Sequence, residues 1–315
     1  MRASIIIPCK QIDEYTKECI RYCLELDYPE FEIIVLPDHK PDHTIEGVRV
    51  IPTGEVTPGA KRNIGVVNSK GEVCAFIDSD AYPRRDWLKN AVKYLKDGDV
   101  VAVGGPGVTP ETDGLMQKAS GFALSSFMVG GLSRRYKVTA GSVYDSDDVH
   151  SCNLVVRREA LIKCGGWDEK YWPGEDTLLS LSLRRVGRVI EASDVVVFHH
   201  RKPLFKEHLK QISRFALHRG FFAKKYPETS RKPTYFMPSL LTLVIVVGGV
   251  VCIIFPWMLQ LYLASLLIYV MLALAASLKT GSLKLILLTW LGIVLTHLTY
   301  GVYFIKGLIS RDLKL

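Results

Sequence analysis

Asp78 and Asp80 stand one residue apart at the end of an apolar run, Val73 to Ile77. Paired carboxylates of this kind can hold a hard divalent cation, Mg²⁺ or Mn²⁺, whose remaining ligands come from water and substrate phosphates. A strand ending at Ile77 would release both acids at the carboxyl edge of a sheet, where open α/β folds bind ligands. The alternative is a polar Asp-Ser-Asp turn capping the next helix. A second acidic pair, Glu175-Asp176, follows Pro173-Gly174 at the start of a helical pattern. Backbone donors there can fix a carboxylate and keep it ionised, which suits a general base; the bland reading is again a helix cap. His199-His200 closes the apolar run Val195 to Phe198, and His199 can offer a metal an imidazole nitrogen.

The elements that must position these residues alternate. Ser4–Pro8, Phe31–Leu36, Val48–Ile51, Val73–Ile77 and Val100–Val103 read as strands, and the stretches beginning at Tyr15, Pro58 and Trp87 read as helices between them. Strand–helix alternation predicts an α/β fold with a mainly parallel sheet wrapped by helices. In a doubly wound order Pro8, Asp38 and Asp78-Ser79-Asp80 share one sheet edge. Asp38 could then accept hydrogen bonds from a base or ribose, and Arg62, opening a helix, could face a phosphate. Each also reads as an ordinary loop or surface helix residue. Leu154–Val156 is a further strand, preceded by Ser151-Cys152-Asn153. Residues 111–150 carry a glycine-flanked helical stretch, Gly121–Gly131, and charges at Arg134-Arg135 and Asp145–Asp148, and receive no assignment.

The formal net charge is +8, and Lys224, Lys225, Arg231 and Lys232 gather before a nearly charge-free tail. Residues 238–257, 259–278 and 283–305 are each long enough to cross a bilayer, so three transmembrane helices are expected, the last being the least regular. Between 205 and 226 apolar and basic residues recur at helical spacing, as in a helix lying in the membrane interface. The expected division is a cytosolic domain over 1–203, an interfacial helix and linker over 204–232, and a membrane region over 233–315. Aromatic and basic residues are not interleaved on any sheet face, which speaks against nucleic acid as a partner. Seven scattered cysteines without metal-ligand spacing read as free thiols of a reducing compartment. No cleavable signal is expected ahead of the first strand.

In their order these motifs resemble the family 2 glycosyltransferases, inverting enzymes of the GT-A fold that use nucleotide-activated sugars. Ile5-Ile6-Ile7-Pro8 is similar to the family's opening strand. Glu32 to Asp38 is similar to the strand ending in two aspartates, although Pro37 takes the place of the first. Gly59-Ala60-Lys61-Arg62-Asn63 resembles the arginine-asparagine segment near the nucleotide, Asp78-Ser79-Asp80 the DxD metal motif, and Gly174-Glu175-Asp176 the segment that supplies the base. Gln211 to Phe215 resembles the QxxRW motif of processive synthases, with Phe in place of Trp.

The resemblance implies Asp176 as base and Asp80, Asp78 and His199 around Mn²⁺ or Mg²⁺. It implies Pro8, Asp38, Arg62, Asp78, Asn153, Glu175 and Arg214 around the donor. The expected partners are a nucleotide-diphosphate sugar, with a UDP-sugar foremost, a lipid-linked or glycan acceptor, and membrane lipids. The expected setting is the cell membrane, multi-pass, with the catalytic domain cytoplasmic. Inverting transfer needs a base on one side of the sugar and positive charge on the other. A base matters most for a hydroxyl acceptor, so extension of a lipid-linked glycan or glycolipid is expected ahead of polyprenyl-phosphate glycosylation or polysaccharide synthesis. A non-catalytic scaffold that binds nucleotide sugar is the rival from another class.

Overall fold

The computed structural model describes residues 1–42, 44–129 and 135–313. Gly131 and Arg134, in the unassigned stretch, and Lys314 near the end of the chain lie outside them. The chain forms two compact units. One comprises Met1–Val108 with Lys137–His200, the other Thr109–Tyr136 with Arg201–Lys314. The segment 109–136 thus groups with the tail, whereas the sequence division at 203 keeps it with the N-terminal domain.

The first unit contains β1 (Ala3–Pro8), α1 (Glu14–Leu24), β2 (Phe31–Leu36), β3 (Val48–Val50), α2 (Pro58–Asn68), β4 (Val73–Ile77), β5 (Ala81–Pro83), α3 (Trp87–Leu95), β6 (Val100–Gly104) and β7 (Gly107–Val108). The second unit interrupts here with α4 (Leu115–Ser125). The first resumes with β8 (Val143–Asp145), β9 (Asn153–Arg157), α5 (Arg158–Cys164), α6 (Glu175–Arg184), β10 (Arg188–Ala192) and β11 (Val197–His199). The main sheet runs β3-β2-β1-β4-β9-β6-β10-β8, and a small sheet runs β5-β11-β7. Strands β3, β2, β1 and β4 are mutually parallel, while β9 enters antiparallel between β4 and β6.

Both faces of the main sheet are covered, so its inner strands are apolar at every position and not only at alternate ones. Ile5, Ile7, Ile33, Val35, Ala75 and Ile77 enter one core, and Ile6, Ile34, Leu36, Cys74 and Phe76 the other. The helices begin where side-chain caps allow. Asp13 accepts from the Thr16 amide at 2.9 Å to start α1, and Thr57 accepts from Ala60 at 3.3 Å ahead of Pro58 in α2. All seven cysteines are free thiols.

The second unit is helical. After α4 come α7 (Lys206–Lys225), α8 (Pro227–Ser230), α9 (Pro233–Ile254), α10 (Leu259–Ser277) and α11 (Leu283–Ile309). Among the described residues, three segments are long and apolar enough to cross a membrane: Pro233–Ile254, Pro256–Thr280 and Leu283–Ile309, with mean hydropathies of 2.6, 2.2 and 1.8. Helices α4, α7 and α11 share a buried polar chain. Ser120 Oγ lies 2.8 Å from His208 Nδ1, and His208 Nε2 lies 2.8 Å from Thr296 Oγ1. Burial pushes the His208 imidazole down to about 4, so it is neutral and its two nitrogens serve as one donor and one acceptor.

Candidate active site

Strand β4 stops at Ile77, and the Ala81 amide turns back to the Asp78 carbonyl at 3.0 Å, leading directly into β5. Pairing of β5 with β11 sets Ala81 opposite His199, and the His200 amide donates to the Asp80 carbonyl at 2.9 Å. This register brings His199 Nε2 to 3.2 Å from Asp80 Oδ1. One ligand atom each from Asp78, Asp80 and His199 fall within 4.8 Å of one another. Two carboxylates and an imidazole are a donor set that suits a borderline-hard divalent cation such as Mn²⁺. His200 is engaged elsewhere, its Nε2 lying 2.8 Å from Glu18 Oε2.

Arg62 is the hub of the acidic residues. It is 4% exposed in the first turns of α2, with Nη2 at 2.7 Å from Asp78 Oδ1, Nη1 at 3.4 Å from Glu175 Oε1 and Nη1 at 4.0 Å from Asp176 Oδ1. Burial opposes its charge, but Asp78, Asp176 and Glu175 together outweigh burial and raise its pKa above the ordinary value. Its Nε has no hydrogen-bond partner among the described residues. The alternative of an ordinary surface helix residue is thus not met: Arg62 is buried against carboxylates. Gly59 permits the approach, since a Cβ there would meet Trp167 Cβ at 3.3 Å and Glu175 Cγ at 3.6 Å.

Asp176, in the first turn of α6, is 28% exposed and held on its inner side. Its Oδ2 accepts from the Ser151 amide at 3.0 Å, and its Oδ1 accepts from the Ser151 hydroxyl and from Trp167 Nε1 at 3.2 Å. Hydrogen bonds of this kind fix the orientation of a carboxylate. Neighbouring Glu175 is buried. Burial, reinforced by Asp176 and opposed by Arg62, pushes its carboxyl up to about 7. Two adjacent acids thus differ in environment, one hydrogen-bonded and partly open, the other buried.

Of the other expected donor residues, Pro8 is buried at the end of β1 and Asp38 follows β2 on the same sheet edge. Asp38 pairs with the buried Lys61 ammonium, which also donates to the carbonyls of Cys9 at 2.7 Å and Leu36 at 3.2 Å. Asn153 departs from expectation. Its side chain is fully buried, its Nδ2 donates to Pro106 O at 3.1 Å and Val195 O at 2.7 Å, and its Oδ1 accepts from Trp87 Nε1 at 2.8 Å. With both amide hydrogens committed, Asn153 ties β9 to the loops after β6 and β10. Arg214 lies exposed on α7, in the second unit.

Sequence reasoning missed Lys61, Ser151 and Trp167. The signal for Trp167 was its position after Gly165-Gly166, both with positive φ. Asn63 binds that turn reciprocally, accepting from the Trp167 amide and donating to the Trp167 carbonyl, both at 2.9 Å. In the adjacent pair Arg62-Asn63, one residue therefore holds the acids and the other holds the indole against them.

This arrangement can be compared with known proteins. The curated poly(ribitol-phosphate) beta-N-acetylglucosaminyltransferase TarS of Staphylococcus aureus is 28% identical over 123 residues, which is 34% of this chain and 22% of TarS. A relative from Methanococcus voltae, named dolichyl N-acetyl-alpha-D-glucosaminyl phosphate 3-beta-D-2,3-diacetamido-2,3-dideoxy-beta-D-glucuronosyltransferase, is 22% identical over 246 residues, covering 70% of this chain and 74% of its own. Among solved structures, the mannosyltransferase PcManGT from Pyrobaculum calidifontis, in complex with GDP-Man and Mn²⁺, covers 99% of this chain and 88% of its own at 22% identity and a TM-score of 0.57. The expected GT-A fold is thereby met, with a helical C-terminal region. The chain spans only about a fifth of TarS, so the likeness there is to one segment. The model of glycosyl transferase family 2 matches residues 4–165, just over half of the sequence, and the chain belongs to that family.

Proposed function

We propose that this glycosyltransferase is membrane-anchored through its apolar C-terminal helices. It moves a sugar, with inversion, from a nucleotide-diphosphate sugar to a hydroxyl of a lipid-linked glycan or glycolipid on the cytoplasmic side of the cell membrane. The observation that carries this reading is Arg62, one buried guanidinium that joins Asp78, a member of the candidate metal cluster, to Glu175 and Asp176. Through it the donor-activating and proton-accepting sides of the reaction are set at a fixed separation.

In this reading Asp176 takes the proton of the acceptor hydroxyl while its oxygen forms a bond to the anomeric carbon. The bond from that carbon to the diphosphate oxygen breaks, and its electron pair leaves with the nucleotide diphosphate. Ser151 and Trp167 keep the Asp176 carboxylate aimed at the hydroxyl. Asp78, Asp80 and His199 would hold Mn²⁺ or Mg²⁺, which when bound neutralises charge on the diphosphate. Asp38 and Pro8 lie where the nucleoside is received. The Mn²⁺ and GDP-Man complex of the Pyrobaculum calidifontis enzyme supports a metal-bound nucleotide sugar. The dolichyl-phosphate-linked sugar in the name of the Methanococcus voltae relative supports a lipid-linked acceptor.

The test is transfer from a panel of radiolabelled nucleotide sugars into membrane lipid extracts, with Mn²⁺ or Mg²⁺ present. Wild type should transfer, and Asp176→Asn and Asp80→Ala should each lose roughly 10²-fold or more. Undiminished transfer by both variants would defeat the assigned roles. Nucleotide-sugar binding without turnover on any extract would favour the non-catalytic scaffold.

A further inference from the structure

All three long apolar helices have spanning length, but their packing divides them. Helices α9 and α10 form a hairpin in which Tyr262 Oη donates to the Ile245 carbonyl at 2.8 Å, beside Gly248. The buried residues of α9 are Ser239 and Thr242, and those of α10 are Ala273 and Ser277, all at the open end of the hairpin. From 243 to 272 no residue is buried; Ile253 is 80% exposed, Trp257 77% and Leu261 68%. The contacts of α11 with the hairpin fall on the half away from its turn. Gly301 sits against Pro238 and accepts from Ser239 at 3.2 Å, while Trp290 donates to the Val270 carbonyl at 3.3 Å and Tyr269 pairs with His297 at 2.9 Å. Residues 290–297 of α11 meet α10 and Gly301 meets α9, so α11 passes from one helix of the hairpin to the other.

Helix α7 accompanies α11 in the same direction. Leu204 lies against Gly292, His208 bonds Thr296, a Cβ on Gly307 would stand 2.1 Å from the Leu217 carbonyl, and Lys224 donates to the Leu308 carbonyl at 3.1 Å. Lys206, Lys210, Arg214, Lys224 and Lys225 are exposed along α7. Were α11 to span, this row of cations would be drawn into hydrocarbon beside it, where charge is expensive.

We propose that only α9 and α10 enter the bilayer, and that α11 and α7 lie together in its interface on the side of the catalytic unit, their cations against anionic headgroups. This deepens the membrane-anchored reading above and replaces the third span. Arg231, Lys232, Lys279, Lys284, Lys306 and Arg311 then all fall on one side, as the positive-inside tendency favours, whereas three spans would strand the last two opposite. Exposed Leu283, Leu287, Val302 and Ile309 give α11 apolar surface to seat at the acyl boundary.

The experiment uses the full chain with one epitope tag before Met1 and another after Leu315, expressed in native membranes and digested with protease in right-side-out and inverted vesicles. The candidate spans all follow α7, so the first tag reports the side of the catalytic unit. Both tags should resist digestion in right-side-out vesicles and both should be lost in inverted ones. Loss of the second tag in the vesicles that protect the first would overturn the proposal and restore a third span. Release of the intact protein by alkaline carbonate would instead remove the membrane anchoring on which both readings rest.

Discussion

Replacing Arg62 by Met keeps the length of the side chain and removes the cation shared by Asp78, Glu175 and Asp176. The guanidinium and Glu175 are both nearly inaccessible to water, with side-chain exposures of 5% and 9%. Breaking a buried pair by deleting one partner costs about 3–5 kcal/mol, because the other charge is left unpaired. For a unit of this size that corresponds to a fall of roughly 10 °C in Tm.

The loss must also depend on pH. Glu175 sits at about 7 in the folded protein, above its ordinary value of 4.5, so the folded state binds more protons between these values. Stability therefore declines as pH rises from 4.5 through 7. Arg62 is the group that pulls Glu175 down, so Arg62→Met carries the declining window above 7 and makes the variant worse at pH 8 than at pH 6. Adding Glu175→Gln to Arg62→Met should recover a large part of the loss at pH 8. Thermal unfolding in detergent at pH 6 and pH 8 reads all three proteins. A variant within 2 °C of wild type at pH 8, under about 1 kcal/mol, would refute the clamp, as would equal losses at both pH values.

Two further outcomes follow from the same geometry. Ser151→Ala leaves the amide bond to Asp176 but removes the hydroxyl bond, so kcat in the lipid-extract assay should fall about tenfold with the donor KM unchanged, as expected for one charge-assisted bond. A raised KM with unchanged kcat would place Ser151 in donor binding. His208 is neutral when folded, about 4 against an ordinary 6.5, so the unfolded chain binds the extra proton and stability falls as pH drops through that window. Between pH 7 and pH 5 this amounts to roughly 2 kcal/mol, which His208→Gln should abolish in thermal unfolding profiles.

Much of the first unit was legible because both faces of its sheet are covered. Phe31–Leu36, Val73–Ile77 and Trp87–Leu95 have the bounds that their apolar patterns predict, and Asp78 and Asp80 emerge at the strand end. Strand β10 escaped notice because Val189-Ile190 is flanked by Arg188 and Glu191, and its burial comes from pairing with β6 rather than from composition. The Lys61 clamp on Asp38 and the indole bond to Asp176 were hidden for a related reason. Each joins residues on separate elements through a side chain whose local surroundings are ordinary. Asn153 differs in another way, being a polar residue near site residues whose side chain bonds Trp87, Pro106 and Val195. In the tail, hydropathy gives the length of α11 but not its direction, because only its contacts with α7 and the two helices of the hairpin fix that.

The pairing of β5 with β11 carries one more consequence. Asp80 belongs to the first half of the first unit, and His199 is nearly its last residue. Closing the small sheet is thus a contact of high sequence separation, whose loop-closure entropy has to be met before the contact gives any return. The parallel core of β1, β2 and β4 draws on earlier sequence and can assemble without it. A newly made chain would accordingly acquire its core first and its Asp78-Asp80-His199 cluster last, which keeps the three side chains apart until the fold around them is in place.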